Sequence, residues 1–170
     1  MRNRLRRVYW DSCVFIALIS NLMTSQATDR RWHCQRFFDD AINGRIEIVT
    51  SVITIAEVVR AEAVPGTPTN PVPQVIRQKI EDLFNEPYLQ LVHVDTARAA
   101  EARDLTWQFP QIKYPDSMHL ACARYAQVDA RHTYDGEGKQ TGLLSFDGQI
   151  GNPPIRILVP EWTGQLPSSI

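Results

Sequence analysis

Two hydrophobic periods alternate along this chain, and that alternation limits it to few folds. Short apolar runs suited to strands recur at residues 8–10, 46–49, 89–94 and 155–159, and residues 131–134 read as a weaker strand. Between them lie segments with apolar residues at helical spacing. Residues 32–43 place Phe37, Phe38, Ala41 and Ile42 on one face, and Gly44 follows as a C-cap would. Residues 52–63, 74–85, 96–107 and 117–127 read as further helices. Residues 12–19 are almost wholly apolar and suit either a continuing strand or a helix. The polar stretch 24–31 reads as a loop. Residues 64–73 carry four prolines and one glycine and read as an internal connection. Strand-helix alternation of this kind predicts an α/β fold with a parallel sheet covered on both faces. Ligands of such sheets bind beyond the carboxyl ends of the strands.

A chain of 170 residues suits one domain, spanning 1–170 with its core at about 8–159. Lys and Arg total 18 against 19 Asp and Glu, so no overall basic excess points to nucleic acid. Arginines cluster locally instead: Arg2, Arg4, Arg6 and Arg7, then Arg30, Arg31 and Arg36. Such clusters suit either phosphate contacts or a solvated surface. The apolar run after Asp11 is too short for a secretion signal or a membrane span, so the expected location is cytoplasmic, with no membrane partner. Cys13, Cys34 and Cys122 are odd in number and lack metal-site spacing, which fits free thiols.

Acids fall at the positions where chemistry is expected. Asp11 ends the first strand, Asp135 ends the fourth, Asp116 opens a helix, and Glu57 lies within the first two turns of another. Strand ends and helix starts share one rim in a parallel α/β fold. Converging carboxylates repel one another and need a cation, and all-oxygen ligands suit Mg²⁺ or Mn²⁺. Metal-assisted phosphodiester hydrolysis is the chemistry this pattern predicts. Each acid also has a structural reading. Asp11 and Asp116 suit helix caps, Thr54 and Glu57 have capping-box spacing, and Asp135 precedes Gly136 as in a turn.

The words VYWDSCVFIALI, TSVITIAEVVR, KYPDSMHLACA and HTYD resemble the four acidic motifs of PIN-domain nucleases, in order and along nearly the whole chain. Among these, the chain is most similar to the VapC-type toxin ribonucleases. The resemblance implies a three-layer α/β/α sandwich and an Mg²⁺ or Mn²⁺ site formed by Asp11, Asp116 and Asp135. Glu57 completes that site directly or through water. It also implies cleavage of RNA, a homodimer, and an antitoxin protein as partner. Ser12, Thr133 and His119 are the candidate substrate contacts.

Many members of the family carry Asn where this chain has Cys13, which removes a side chain able to orient a ligand. That departure supports the alternative, a PIN-fold binding or scaffold protein without turnover. Asp147, before Gly148, competes with Asp135 for the fourth acidic position, but it suits a turn better. The segment Gly136-Glu137-Gly138-Lys139 falls short of a phosphate loop at two positions. A receiver-type phosphoacceptor would want paired acids at the first strand, where only Asp11 stands. The four tryptophans read as packing residues.

Overall fold

The computed structural model describes residues 5–20, 24–59 and 72–164. Arg2, Arg4 and most of the proline-rich connection lie outside the described residues, as do residues 60–63 of the helix expected at 52–63, which ends instead at Glu57. The elements run β1 (Arg6–Trp10), α1 (Ser12–Ile19), α2 (Ser25–Ile42), β2 (Ile46–Ser51), α3 (Val52–Glu57), α4 (Gln74–Phe84), β3 (Leu89–Val92), α5 (Thr96–Gln108), α6 (Asp116–Tyr125), β4 (Ala130–His132) and β5 (Arg156–Leu158). All strand pairs are parallel, in the order β3-β2-β1-β4-β5. The expected α/β fold with a parallel sheet between helices is therefore present.

The strand order positions the site. From β1 the chain winds outward to β2 and β3, then returns to lay β4 on the other side of β1. The winding direction reverses between β1 and β4. At such a reversal the loops leaving adjacent strands diverge and open a crevice at their carboxyl ends. Asp11 follows β1, and Thr133 to Asp135 follow β4, so both border that crevice.

Each strand sends alternate side chains to opposite faces. Val8 and Trp10 join one buried cluster with Val14, Phe15, Cys34 and Phe37 from α1 and α2. Tyr9 joins the other, with Ala102 and Leu105 of α5 and Met118 to Ala123 of α6. The same alternation governs β4, where Arg131 pairs in register with Tyr9 and His132 with Trp10. Their side chains therefore leave the sheet on different faces. Among the described residues, no helix is long and apolar enough to cross a membrane.

Two readings of the sequence need correction. The stretch 24–31 is not a loop but the opening of α2. The Thr24 hydroxyl caps it by accepting the Ala27 N–H at 3.2 Å. This end is polar because it faces solvent; a helix end with no core face shows no apolar periodicity. Nor are all four tryptophans packing residues. Trp10 is fully buried, but Trp32 is 45% and Trp107 69% exposed.

His132 gives the fold an acid-sensitive element. Trp10 Nε1 donates to His132 Nδ1 at 3.2 Å in a fully buried setting. Burial, with a smaller contribution from the Arg6 charge, depresses the His132 pKa from 6.5 to about 3. The folded protein thus binds this proton more weakly than the unfolded chain does. The stability it contributes is complete above pH 6.5 and is lost as pH falls toward about 3. His132→Asn keeps an acceptor for Trp10 but has no such proton. Its melting temperature is expected to fall less steeply than the wild type's across that window. Equal slopes would assign the acid sensitivity to other groups.

Candidate active site

Asp11 stands at the N-cap position of α1, yet its carboxylate makes no cap hydrogen bond. Oδ1 accepts from the Cys13 thiol at 2.7 Å, and Oδ2 accepts from Arg131 Nη2 at 3.1 Å. Burial opposes charge on Asp11, but Arg131 and Cys13 outweigh it and hold the carboxyl below its ordinary value. Cys13 is half-buried, and desolvation together with the Asp11 charge keeps it a thiol and hence a donor. Its sulfur also accepts the Tyr134 N–H at 3.2 Å. The residue at the family's usual Asn position thus ties the end of β1 to the end of β4. The loss of an orienting side chain expected there does not occur.

Asp116 is the first residue of α6, after Pro115 at the N-cap. Arg131 Nη2 donates to Asp116 Oδ1 at 2.9 Å, and Nη1 donates to the Asp116 carbonyl at 3.0 Å. Burial pushes the Asp116 carboxyl up. Arg131 partly offsets this, while the charges of Asp11 and Asp135 add to the upward shift. The site thus holds more negative charge than its one guanidinium neutralises.

Glu57 ends α3. The capping box with Thr54 does not form: Ser51 holds the N-cap position, and Thr54 Oγ1 lies 2.7 Å from Thr50 Oγ1. Glu57 Oε2 instead lies 2.8 Å from His119 Nε2. His119 is buried, not a surface residue of its helix, and its Nδ1 lies 2.7 Å from Tyr9 Oη. An ionised Glu57 can only accept, so His119 Nε2–H is the donor to it, while Ser51 Oγ joins Tyr9 Oη in facing Nδ1, at 3.3 Å. Burial works against the Glu57 charge, but the hydrogen bond from His119 helps outweigh it, and the pKa is lowered.

Asp135 is exposed at the crevice edge. Its backbone N–H donates to Thr133 Oγ1 at 3.1 Å, and its Oδ2 accepts the Leu143 N–H at 2.8 Å. Two glycines let the intervening loop fold back for this contact. Gly136 and Gly142 have φ of +89° and +110°, and a Cβ on Gly142 would stand 2.6 Å from Gly136 Cα. Gly142→Ala is therefore expected to cost about 1–3 kcal/mol of stability, read as a melting temperature several degrees lower. An unchanged melting curve would show that the loop carries no such constraint. Asp147 is engaged elsewhere, with Arg156 and the Ile157 N–H, as a turn residue would be.

The structure thus brings Asp11 and Asp116 onto one guanidinium, sets Asp135 within electrostatic reach, and ties Glu57 to His119. Arg131, Tyr9 and the Cys13 thiol are parts of the site that the sequence reading did not assign. An arginine inside the weak fourth strand, fully buried as β4, was the available signal. Several described arginines of the basic clusters are held by protein groups: Arg7 by Glu47, Arg30 by Glu137, Arg31 by the Ser20 carbonyl and Arg36 over Trp32. Hard carboxylate oxygens, in excess over the local positive charge, fit Mg²⁺ or Mn²⁺ in kind. As placed, no three His, Cys, Asp or Glu side chains among the described residues stand close enough to hold one ion.

The family model for the PIN domain matches residues 8–144. No curated protein matches the chain in sequence. Among solved structures, the chain is similar to Mycobacterium tuberculosis VapC20, described as a toxin that cleaves the sarcin-ricin loop. The TM-score is 0.56 at 14% identity, over 76% of this chain and 91% of that one. It is also similar to a chain of a toxin–antitoxin complex from Klebsiella pneumoniae, with a TM-score of 0.56 at 17% identity, over 91% and 98% of the two chains. A third likeness is to a chain of VapBC2 from Rickettsia felis, bound to a DNA fragment from its promoter. There the TM-score is 0.55 at 15% identity, over 89% and 98%.

Proposed function

Because this chain belongs to the PIN domain family, we propose that it is a metal-dependent endoribonuclease and the toxin of a toxin–antitoxin pair. One observation carries the reading: Asp11 and Asp116, from distant parts of the chain, meet at the winding reversal with more negative charge than Arg131 neutralises. Asp11, Asp116 and Asp135 would hold Mg²⁺ or Mn²⁺. A divalent ion there would supply positive charge to the scissile phosphate and lower the pKa of a bound water.

The chain's own side chains prepare the rest. Arg131 and Cys13 fix the Asp11 carboxylate from behind, so its orientation does not depend on substrate. Tyr9 and Ser51 face His119 Nδ1, and its Nε2–H donates to Glu57 Oε2. Glu57 stays ionised, and its role is to orient the attacking water for in-line approach to phosphorus. Thr133 braces the Asp135 backbone, while Ser12 at the start of α1 is the candidate contact to substrate.

An antitoxin partner is supported by the toxin–antitoxin complexes among the structural neighbours. The homodimer and the cytoplasmic site of action are extended from the family resemblance. A binding or scaffold role without turnover has one observation in its favour, the lack of a ready three-ligand group among the described residues. Absence of Mn²⁺ binding by calorimetry would favour that role.

The test is cleavage of total cellular RNA by the purified chain. Discrete products are expected with Mn²⁺ or Mg²⁺. EDTA should abolish them, added metal should restore them, and Asp11→Asn should fail to make them. An intact RNA pool, with the protein folded and free of inhibitor, would overturn the reading.

A further inference from the structure

The carboxylates of the site repel a phosphate backbone, so the attraction that holds RNA there must come from cations at its rim. Several arginines are committed to protein groups. The chain has three lysines, Lys79, Lys113 and Lys139. All three are exposed, and none has an ion-pair partner among the described residues.

Two of these lysines stand on the segments that carry the more open acids. Lys113 and Tyr114 precede Asp116 across Pro115. The Lys113 carbonyl accepts the Ser117 N–H at 3.1 Å, and the Pro115 carbonyl accepts the Met118 N–H at 2.9 Å, which closes this turn onto α6. Ile112 before the turn and Ser117 after it are buried and anchor it on both sides. Between these anchors Tyr114 is 67% exposed, with no ring contact or side-chain hydrogen bond among the described residues. Trp107 is as exposed, but Arg103 covers its ring at 4.5 Å from the centroid. Lys139 belongs to the other segment, the loop that leaves Asp135 and is pinned back by the Leu143 N–H on Asp135 Oδ2. The Lys139 N–H donates to the Gly136 carbonyl at 2.9 Å.

An anchored aromatic with a free ring face is a stacking surface for a base, and an ammonium is a point charge for phosphate. A base inside a duplex has no face to give, whereas an unpaired base does. We propose that Lys113, Tyr114 and Lys139 form a rim that binds an unpaired stretch of RNA, the lysines on its phosphates and the Tyr114 ring on a base near the cut. The inference rests on the ribonuclease reading of the preceding section.

The test is fluorescence anisotropy with a labelled single-stranded RNA of mixed sequence and Mn²⁺ present. The protein is the full chain carrying Asp116→Asn, so that RNA is bound and not cut. Adding Lys113→Gln or Lys139→Gln is expected to make the slope of log K against log salt shallower by about 0.7 each. Lys79→Gln, on α4 and outside both segments, should leave the slope unchanged. Tyr114→Ala should weaken binding about tenfold with the slope kept, and Tyr114→Trp should retain it. Duplex RNA should bind more weakly and be indifferent to Tyr114→Ala. Unchanged slopes in the Lys113 and Lys139 variants, an equal loss from Lys79→Gln, or a Tyr114→Ala protein that binds single strands as before would overturn the inference. Cleavage of cellular RNA by the wild type would then leave the ribonuclease reading standing. No binding of single-stranded RNA, together with an intact cellular RNA pool, would overturn both. The three side chains are exposed, and melting curves check that each variant is folded.

Discussion

Asp116→Asn is expected to lower RNA cleavage by about 10³-fold or more, the usual size of losing a group that acts on developing charge. Its melting temperature should match or exceed that of the wild type. Burial and the neighbouring charges of Asp11 and Asp135 raise the Asp116 pKa, so its ionised form is less favourable in the folded protein than in the unfolded chain. At neutral pH the charge on Asp116 therefore opposes folding, and a neutral isostere relieves it. Asparagine also keeps an oxygen to accept from Arg131 Nη2. Asp11→Asn differs, because Asp11 has a lowered pKa and its charge supports the fold. That variant should lose both cleavage and stability. Paired RNA-cleavage and thermal-denaturation measurements on the two variants separate the effects. Wild-type cleavage by a folded Asp116→Asn would remove this residue from the chemistry.

Arg131→Met is expected to be the most destabilising single change discussed here. Removing one partner of a buried charged group costs about 3–5 kcal/mol. At roughly 2–4 °C per kcal/mol for a chain of this size, that is a fall of about 10 °C. The cost arises because buried Asp11 and half-buried Asp116 remain without their shared donor. Combining Arg131→Met with Asp11→Asn should therefore recover part of the loss. The two changes are then non-additive, as expected for groups in direct contact. A Met variant as stable as the wild type, or strict additivity in the double variant, would contradict the arrangement.

Much of this molecule was legible from residue order. Strand and helix periods follow from which side chains face the core, and β1, β2, β3 and β5 bury enough apolar surface to leave that pattern, while the polar β4 does so only weakly. That Asp11, Asp116 and Asp135 lie at one crevice was legible as well, because strand ends and helix starts in a parallel sheet share a rim; Glu57, which closes α3, meets His119 instead. The helical opening of α2 was hidden, since residues packed against nothing carry no period. The apolar run 12–19 was ambiguous for the opposite reason: a stretch apolar all round has no period either, and packing against α2 and the sheet decided that it is α1.

By itself the sequence determined the α/β class and the family, because these depend on local period and on motifs of residues near one another in the chain. Tertiary structure alone decided what each acid touches. Arg131 reaches Asp11 across 120 positions of sequence, and His119 reaches Glu57 across 62. Such pairings depend on strand order and on which face of β4 or α6 a side chain leaves. No local pattern encodes either, so the buried cation behind the acids emerged only once β4 lay beside β1.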